Sequence, residues 1–230
     1  MLIRLRHTHQ HGDAQAGITL VELLIAMSIM GILSAMILMV WFSLQSSYAS
    51  SVQNAEQRDV ARQGVWRMAT EIRDAQGIEG YPPVMSAGAN SILIGTSFNN
   101  SGNSEQPTDA SSPDASVHRV KFSYSKDDKT IYRTEDANGN GNFADETRVA
   151  LVGNVVNGTV PAGGSTPLFR YSYYDTSGVL QTVDSLTAAG IDPARLLNVQ
   201  IQALVDIKPN KSPTYMDLRT TVQPRNAARH

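Results

Sequence analysis

The chain has 230 residues, 41 % hydrophobic and 17 % charged, with a formal net charge of -2 and a mean hydropathy of -0.22. Those averages exclude collagen-like repeats, a coiled-coil rod and a multi-span membrane protein, and the missing basic excess leaves no electrostatic footprint for nucleic acid. With no cysteine, disulfide frameworks, thiol nucleophiles and thiolate metal sites are excluded.

The charge is unevenly spread. Between Glu22 and Glu56 lie 33 consecutive residues without Asp, Glu, Lys or Arg. From Leu23 to Leu44 there is no proline, and the hydroxyls are confined to Ser28, Ser34 and Ser43. A helix rising about 1.5 Å per residue needs roughly 20 apolar residues to cross the hydrocarbon of a bilayer, so this run predicts one membrane span. Ahead of it, Arg4 and Arg6 face one acid, Asp13. That balance favours a cytoplasmic amino terminus and an exported remainder. Apolar residues continue to Phe42, past the length of a cleavable secretory signal, so the span is expected to stay with the mature protein. His7, His9 and His11 alternate in the leader and read as a polar flank. Glu22 is out of place, because an acid inside an apolar run costs a few kcal/mol unless it is paired or interfacial. It reads either as an acid favoured by the helix amino terminus or as one awaiting a cation from a neighbour.

Gly17-Ile18-Thr19-Leu20-Val21-Glu22-Leu23-Leu24-Ile25-Ala26-Met27, after a short basic leader, resembles the processing motif of type IV prepilins and type II secretion pseudopilins. The resemblance implies cleavage by a prepilin peptidase between Gly17 and Ile18, with N-methylation of Ile18. It also implies that Glu22 pairs with the terminal amine of a neighbouring subunit during assembly. The sequence departs from the family pattern in three ways. Ile18 stands where phenylalanine is usual, Gln15-Ala16 separate the basic residues from Gly17, and the first prolines are Pro82 and Pro83.

Beyond the span, Trp41, Leu44, Tyr48, Val52 and Ala55 recur at helical spacing, and Val65, Met68, Ala69, Ile72 and Ala75 resume it. One helix is therefore expected over Ile18–Gln76, stopped at Gly77 or Gly80 before Pro82-Pro83. Glu56, Asp59, Glu71 and Asp74 with Arg58, Arg62, Arg67 and Arg73 read as its solvated back. Trp66, Tyr171, Tyr173 and Tyr174 read as packing between helix and sheet. Strands are expected at Ser91–Thr96, Val117–Ser125, Lys129–Thr134, Arg148–Val152, Leu168–Asp175, Leu197–Ile207 and Tyr215–Val222, with a hairpin turn at Asp127-Asp128. The polar run 99–116 reads as a mobile loop. The expected fold is α+β and pilin-like, with a long amino-terminal helix on an antiparallel β-sheet domain. Its segments are a leader (1–17), a membrane and assembly half-helix (18–44), an amphipathic half-helix (45–77) and a β-rich domain (78–230). Size, the long loop and the two long carboxy-terminal strands look closest to large J-type or W-type minor pilins.

A second candidate site lies at 135–147. Asp136, Asn138 and Asn140 followed by Gly141 reproduce the opening of an EF-hand-type calcium loop. Asn142, Asp145 and Glu146 extend its oxygen set, but Thr147 stands at the twelfth position. A Ca2+ loop between strands and a plain Asn-Gly turn both remain open. His118 stands alone at a strand start, and no Ser-His-Asp order or paired catalytic carboxylates stand out, so no enzyme is expected. The expected role is a minor pilin or pseudopilin near the tip of a type IV pilus, competence pilus or type II secretion pseudopilus. Its partners would be the prepilin peptidase, other pilins, the inner-membrane assembly platform and membrane lipid. The alternative is a single-span membrane-anchored binding or sensor module that never polymerises. Either way the protein would sit in the cytoplasmic membrane with its carboxy-terminal domain outside.

Overall fold

Thr19 and Glu22 begin the long helix. The Thr19 N–H and Oγ1 both donate to Glu22 Oε2 at 3.0 Å, while the Glu22 N–H donates to Thr19 Oγ1 at 3.3 Å. This is a capping box, which satisfies amide groups that the first helical turn leaves unpaired. The helix α1 then runs unbroken over Leu20–Arg73. It ends a little before the expected stop because the chain is drawn onto the sheet, where the Gln76 N–H donates to the Gly95 carbonyl at 2.9 Å. The computed structural model describes residues 18–77, 82–97, 118–137, 139–158, 164–208 and 215–225. The chain divides into two compact units between Ser51 and Val52. The leader, Gly17, Gly80, the 99–116 run and Asn138 lie outside the described residues.

Two antiparallel sheets build the second unit. The first is a meander in chain order, β1 (Val84–Ala87), β2 (Ser91–Thr96), β3 (His118–Ser125), β4 (Thr130–Glu135) and β5 (Arg148–Val152). The second contains β6 (Phe169–Tyr174), β7 (Leu180–Val183), β8 (Leu196–Asp206) and β9 (Tyr215–Val222), in the spatial order β7-β6-β8-β9. The expected antiparallel β-sheet domain is thus built from two sheets. β3 and β4 form the expected hairpin, with Ser125 opposite Thr130. Lys129 takes a positive φ of 50° in that turn.

The sheets are joined by hydrogen bonds made outside their own ladders. Val155 bridges to Val205, the Val156 N–H donates to the Leu204 carbonyl, and the Asp206 N–H donates to the Asn154 carbonyl. The buried Tyr171 hydroxyl donates to the Gly88 carbonyl at 2.8 Å, and burial pushes its pKa far up. Asn157, fully buried, makes the densest link. Its Nδ2 donates to the Gln202 carbonyl at 2.7 Å and the Thr166 carbonyl at 3.2 Å, and its Oδ1 accepts from the Leu204 N–H at 2.8 Å. Asn157→Ala leaves the buried Gln202 carbonyl and Leu204 N–H and the part-buried Thr166 carbonyl without these partners and is expected to cost about 2 kcal/mol, measured by urea unfolding. A loss within experimental error would show that the two sheets do not depend on this side chain.

One face of α1 completes the core. Ala61, Val65, Met68, Ala69 and Ile72 are buried with Ile92, Ile94, Val120, Phe122 and Ile131 of the first sheet. Each large aliphatic or aromatic side chain so removed from water contributes roughly 1.5–3 kcal/mol. Trp66 does not join them. It is 70 % exposed, because it follows Val65 by one residue and is turned about 100° away from the buried stripe. Tyr171 is buried and Tyr173 packs against the core, whereas Tyr174 is half exposed. Glu71 also departs from expectation. It is 1 % exposed and belongs to the sheet-facing side of the helix.

Candidate processing and assembly segment

From Ile18 to Leu44 the apolar side chains lie open on every face of α1, including Ile18, Leu20, Ile25, Ile37, Met39 and Phe42. Within the described residues α1 is the helix long and apolar enough to cross a membrane, and its apolar window is not buried against the rest of the chain. A core helix would hide one side; this segment hides none, which is the condition of a helix that meets lipid or other helices. Its polar atoms are arranged for that medium. Ser28 Oγ donates back to the Leu24 carbonyl at 2.8 Å, so the hydroxyl needs no water. Gly31 and Ala35 are one turn apart, and a Cβ at Gly31 would meet nothing within 4 Å. That spacing of small residues permits close approach by a second apolar helix. The long span of bulky aliphatic residues had hidden it in the sequence.

Glu22 is the charged residue of this segment, held by Thr19 at the helix start. An ionised carboxylate has about four acceptor positions across its two oxygens. Both described bonds from Thr19 fall on Oε2. The helix amino terminus, rich in unpaired N–H groups, favours the negative charge. Ile18 is 77 % exposed immediately before the cap, and Gly17 lies outside the described residues.

The other charged cluster is buried in the second unit. The Arg133 Nε donates to Glu71 Oε2 at 3.0 Å and Oε1 at 3.2 Å, and its Nη1 donates to Glu135 Oε2 at 2.8 Å. Arg67 reaches Glu71 Oε1 at 2.9 Å from one helical turn away. His118 is not alone, since its Nδ1 lies 4.0 Å from Glu135 Oε1. Burial pushes the Glu71 carboxyl upward, against the opposing pull of Arg133 and Arg67. The cluster joins α1 to β4 through the buried Glu71 and Arg133 side chains.

The 136–147 loop joins β4 to β5. Asp136 is 3 % exposed, and its Oδ2 accepts from the Gly141 N–H at 2.9 Å. Gly139 and Gly141 take φ values of 71° and 77°, a region that glycine enters without strain. Asn140 Oδ1 accepts from the Asn142 N–H at 2.6 Å, and Asn140 Nδ2 donates to Asp145 Oδ2 at 3.3 Å. Asn140, Asn142 and Asp145 are exposed, and Glu146 is partly so. Lys121 covers the Phe143 ring at 5.8 Å, tacking the loop to β3. Among the described residues no three His, Cys, Asp or Glu side chains form a metal-holding group, so any cation here would rely on amide and carbonyl oxygens as well.

A long amino-terminal apolar helix, whose later turns pack on antiparallel sheets, defines a pilin-like α+β protein. Residues 13–38 match the family model described as the prokaryotic N-terminal methylation motif, a span that contains Gly17, Ile18 and Glu22. The match supports a protein of the type IV prepilin and pseudopilin family. It suggests a structural subunit anchored in a membrane, processed by a prepilin peptidase and assembled with other pilins. No curated protein matches the chain.

Proposed function

We propose that this chain is a minor subunit of a type IV pilus, competence pilus or type II secretion pseudopilus, acting near the tip or in priming assembly. The observation that carries this reading is a methylation-motif helix with every apolar face exposed and Glu22 at its start. The chain waits as a single-pass protein of the cytoplasmic membrane, with its carboxy-terminal domain outside. Peptidase cleavage between Gly17 and Ile18 creates a new amine. On joining a filament, Glu22 receives the amine of a neighbouring subunit, so that neither charge is left unpaired among apolar helices. The rest of the half-helix exchanges lipid for other helices. Both media are apolar, which makes the exchange nearly neutral and assembly reversible. The long β8–β9 pair supports assignment to the large minor subunits.

Two substitutions separate docking from capping. Glu22→Ala removes the carboxylate and is expected to leave membrane insertion intact while lowering recovery in sheared filaments at least tenfold. Thr19→Ala removes the cap, at about 1 kcal/mol, but keeps the carboxylate and is expected to remain in filaments. Normal recovery of the Glu22 variant would remove the docking role. Mass spectrometry of the mature amino terminus supplies the second reading: N-methyl-Ile18 supports the filament subunit, and an intact leader supports a membrane-anchored module that does not polymerise.

A further inference from the structure

We propose that the turn following β4 is a calcium site of low affinity, anchored by Asp136. The sequence places Asp136, Asn140 and Gly141 at the first, fifth and sixth positions of a calcium-type loop. An independent observation comes from the buried carboxylate. The Asp136 side chain is fully buried, and its Oδ1 has no hydrogen-bond partner among the described residues. The other oxygen, Oδ2, is turned into the loop, where it accepts from the Gly141 N–H. Both oxygens belong to the one side chain that closes the turn through Gly141. A buried carboxylate oxygen without a partner is costly; a cation bound there removes that cost.

The chemistry selects a hard cation. The side-chain donors of this loop are the carboxylates of Asp136 and Asp145 and the Asn140 amide, the last two joined by a hydrogen bond, with neither sulfur nor imidazole in the set. Oxygen donors of that kind suit calcium, whose coordination tolerates irregular geometry, better than magnesium, which demands a near-ideal octahedron. Affinity is limited by Arg119, whose Nη1 lies 3.6 Å from Asp136 Oδ2. Its positive charge opposes a divalent cation, which places the dissociation constant near about 1 mM, in the range of extracellular modules. The consequence falls on the loop that delivers β5 to the helix face, since Val152 of β5 meets α1 at Gly64.

The test uses the full chain in detergent micelles and calcium chloride alone as the probe. Thermal unfolding, followed by near-UV circular dichroism, is expected to shift upward by about 3–5 °C at ten times the dissociation constant. Magnesium chloride at the same concentration is expected to shift it by less than about 1 °C. Asp136→Asn keeps an acceptor for the Gly141 N–H and is expected to lose the calcium shift. Should that variant fail to fold, the exposed Asp145→Asn carries the test and is expected to weaken binding. Arg119→Gln is expected to tighten binding about tenfold, through loss of a nearby like charge. Equal shifts with both cations would reduce the effect to ionic screening and overturn the site. So would no shift, or an undiminished calcium response in both carboxylate variants.

Discussion

Arg133→Met is expected to destabilise the β-rich unit by about 3–5 kcal/mol. Arg133 has no exposed surface and is the common partner of Glu71 and Glu135. Methionine fills much of its volume but supplies no charge, so the two buried carboxylates lose their shared guanidinium, with Arg67 beside Glu71 and His118 4.0 Å from Glu135. Breaking one side of a buried ion pair costs more than the intact pair contributes, because the remaining charge is neither solvated nor compensated. Glu71→Gln provides the comparison. Burial already pushes the Glu71 carboxyl toward its neutral form, so its amide replacement is expected to cost less, about 1–2 kcal/mol. The double variant Arg133→Met, Glu71→Leu is expected to recover part of the loss, since a well-packed apolar pair avoids the desolvation penalty altogether. Urea unfolding, followed through the near-UV signal of buried Tyr171, measures all three. A loss below about 1 kcal/mol for Arg133→Met would show that water reaches the cluster and screens it.

The same cluster marks where the sequence stops being readable. Buried Val65, Met68, Ala69 and Ile72 were legible because their spacing follows the helix period. Glu71 keeps that spacing too, three residues after Met68 and seven after Gly64, but its charge assigned it to solvent. Arg133 alternates with Ile131 and so falls on the inward face of β4. The two exceptions explain each other only after the chain has folded, because the signal is a partnership across 62 positions. β1 and β7 were missed for a different reason. At four residues each, they carry too few alternations to reveal a period, and they become strands by pairing with β2 and β6. The processing segment behaves in the opposite way. Its information is local, in the order Gly17-Ile18-Thr19-Leu20-Val21-Glu22 and the charge-free run behind it, so no tertiary contact is needed to see it. The Thr19–Glu22 box was equally local, since a threonine three residues before a glutamate at a helix start has that signature.

Gly64→Val is expected to cost about 3 kcal/mol or more, although glycine is among the poorest residues for a helix interior. A Cβ at this position would stand 2.4 Å from Val152 Cγ2 and 2.7 Å from the Leu151 carbonyl oxygen. The first contact is a side chain that can turn; the second is backbone of β5, which cannot move without disturbing its pairing with β4. Relief of the glycine penalty amounts to roughly 1 kcal/mol for alanine and less for a β-branched residue, so overpacking wins. Gly31→Ala is the control, because its Cβ meets nothing within 4 Å and only the helix preference acts. Val152→Ala in the Gly64→Val background is expected to restore part of the stability, since it removes the first clash and leaves the second. Urea unfolding of the three chains measures the balance. If Gly64→Val matched the parent, β5 would have to shift away from α1 at little cost, and the close approach would not be a constraint on the fold.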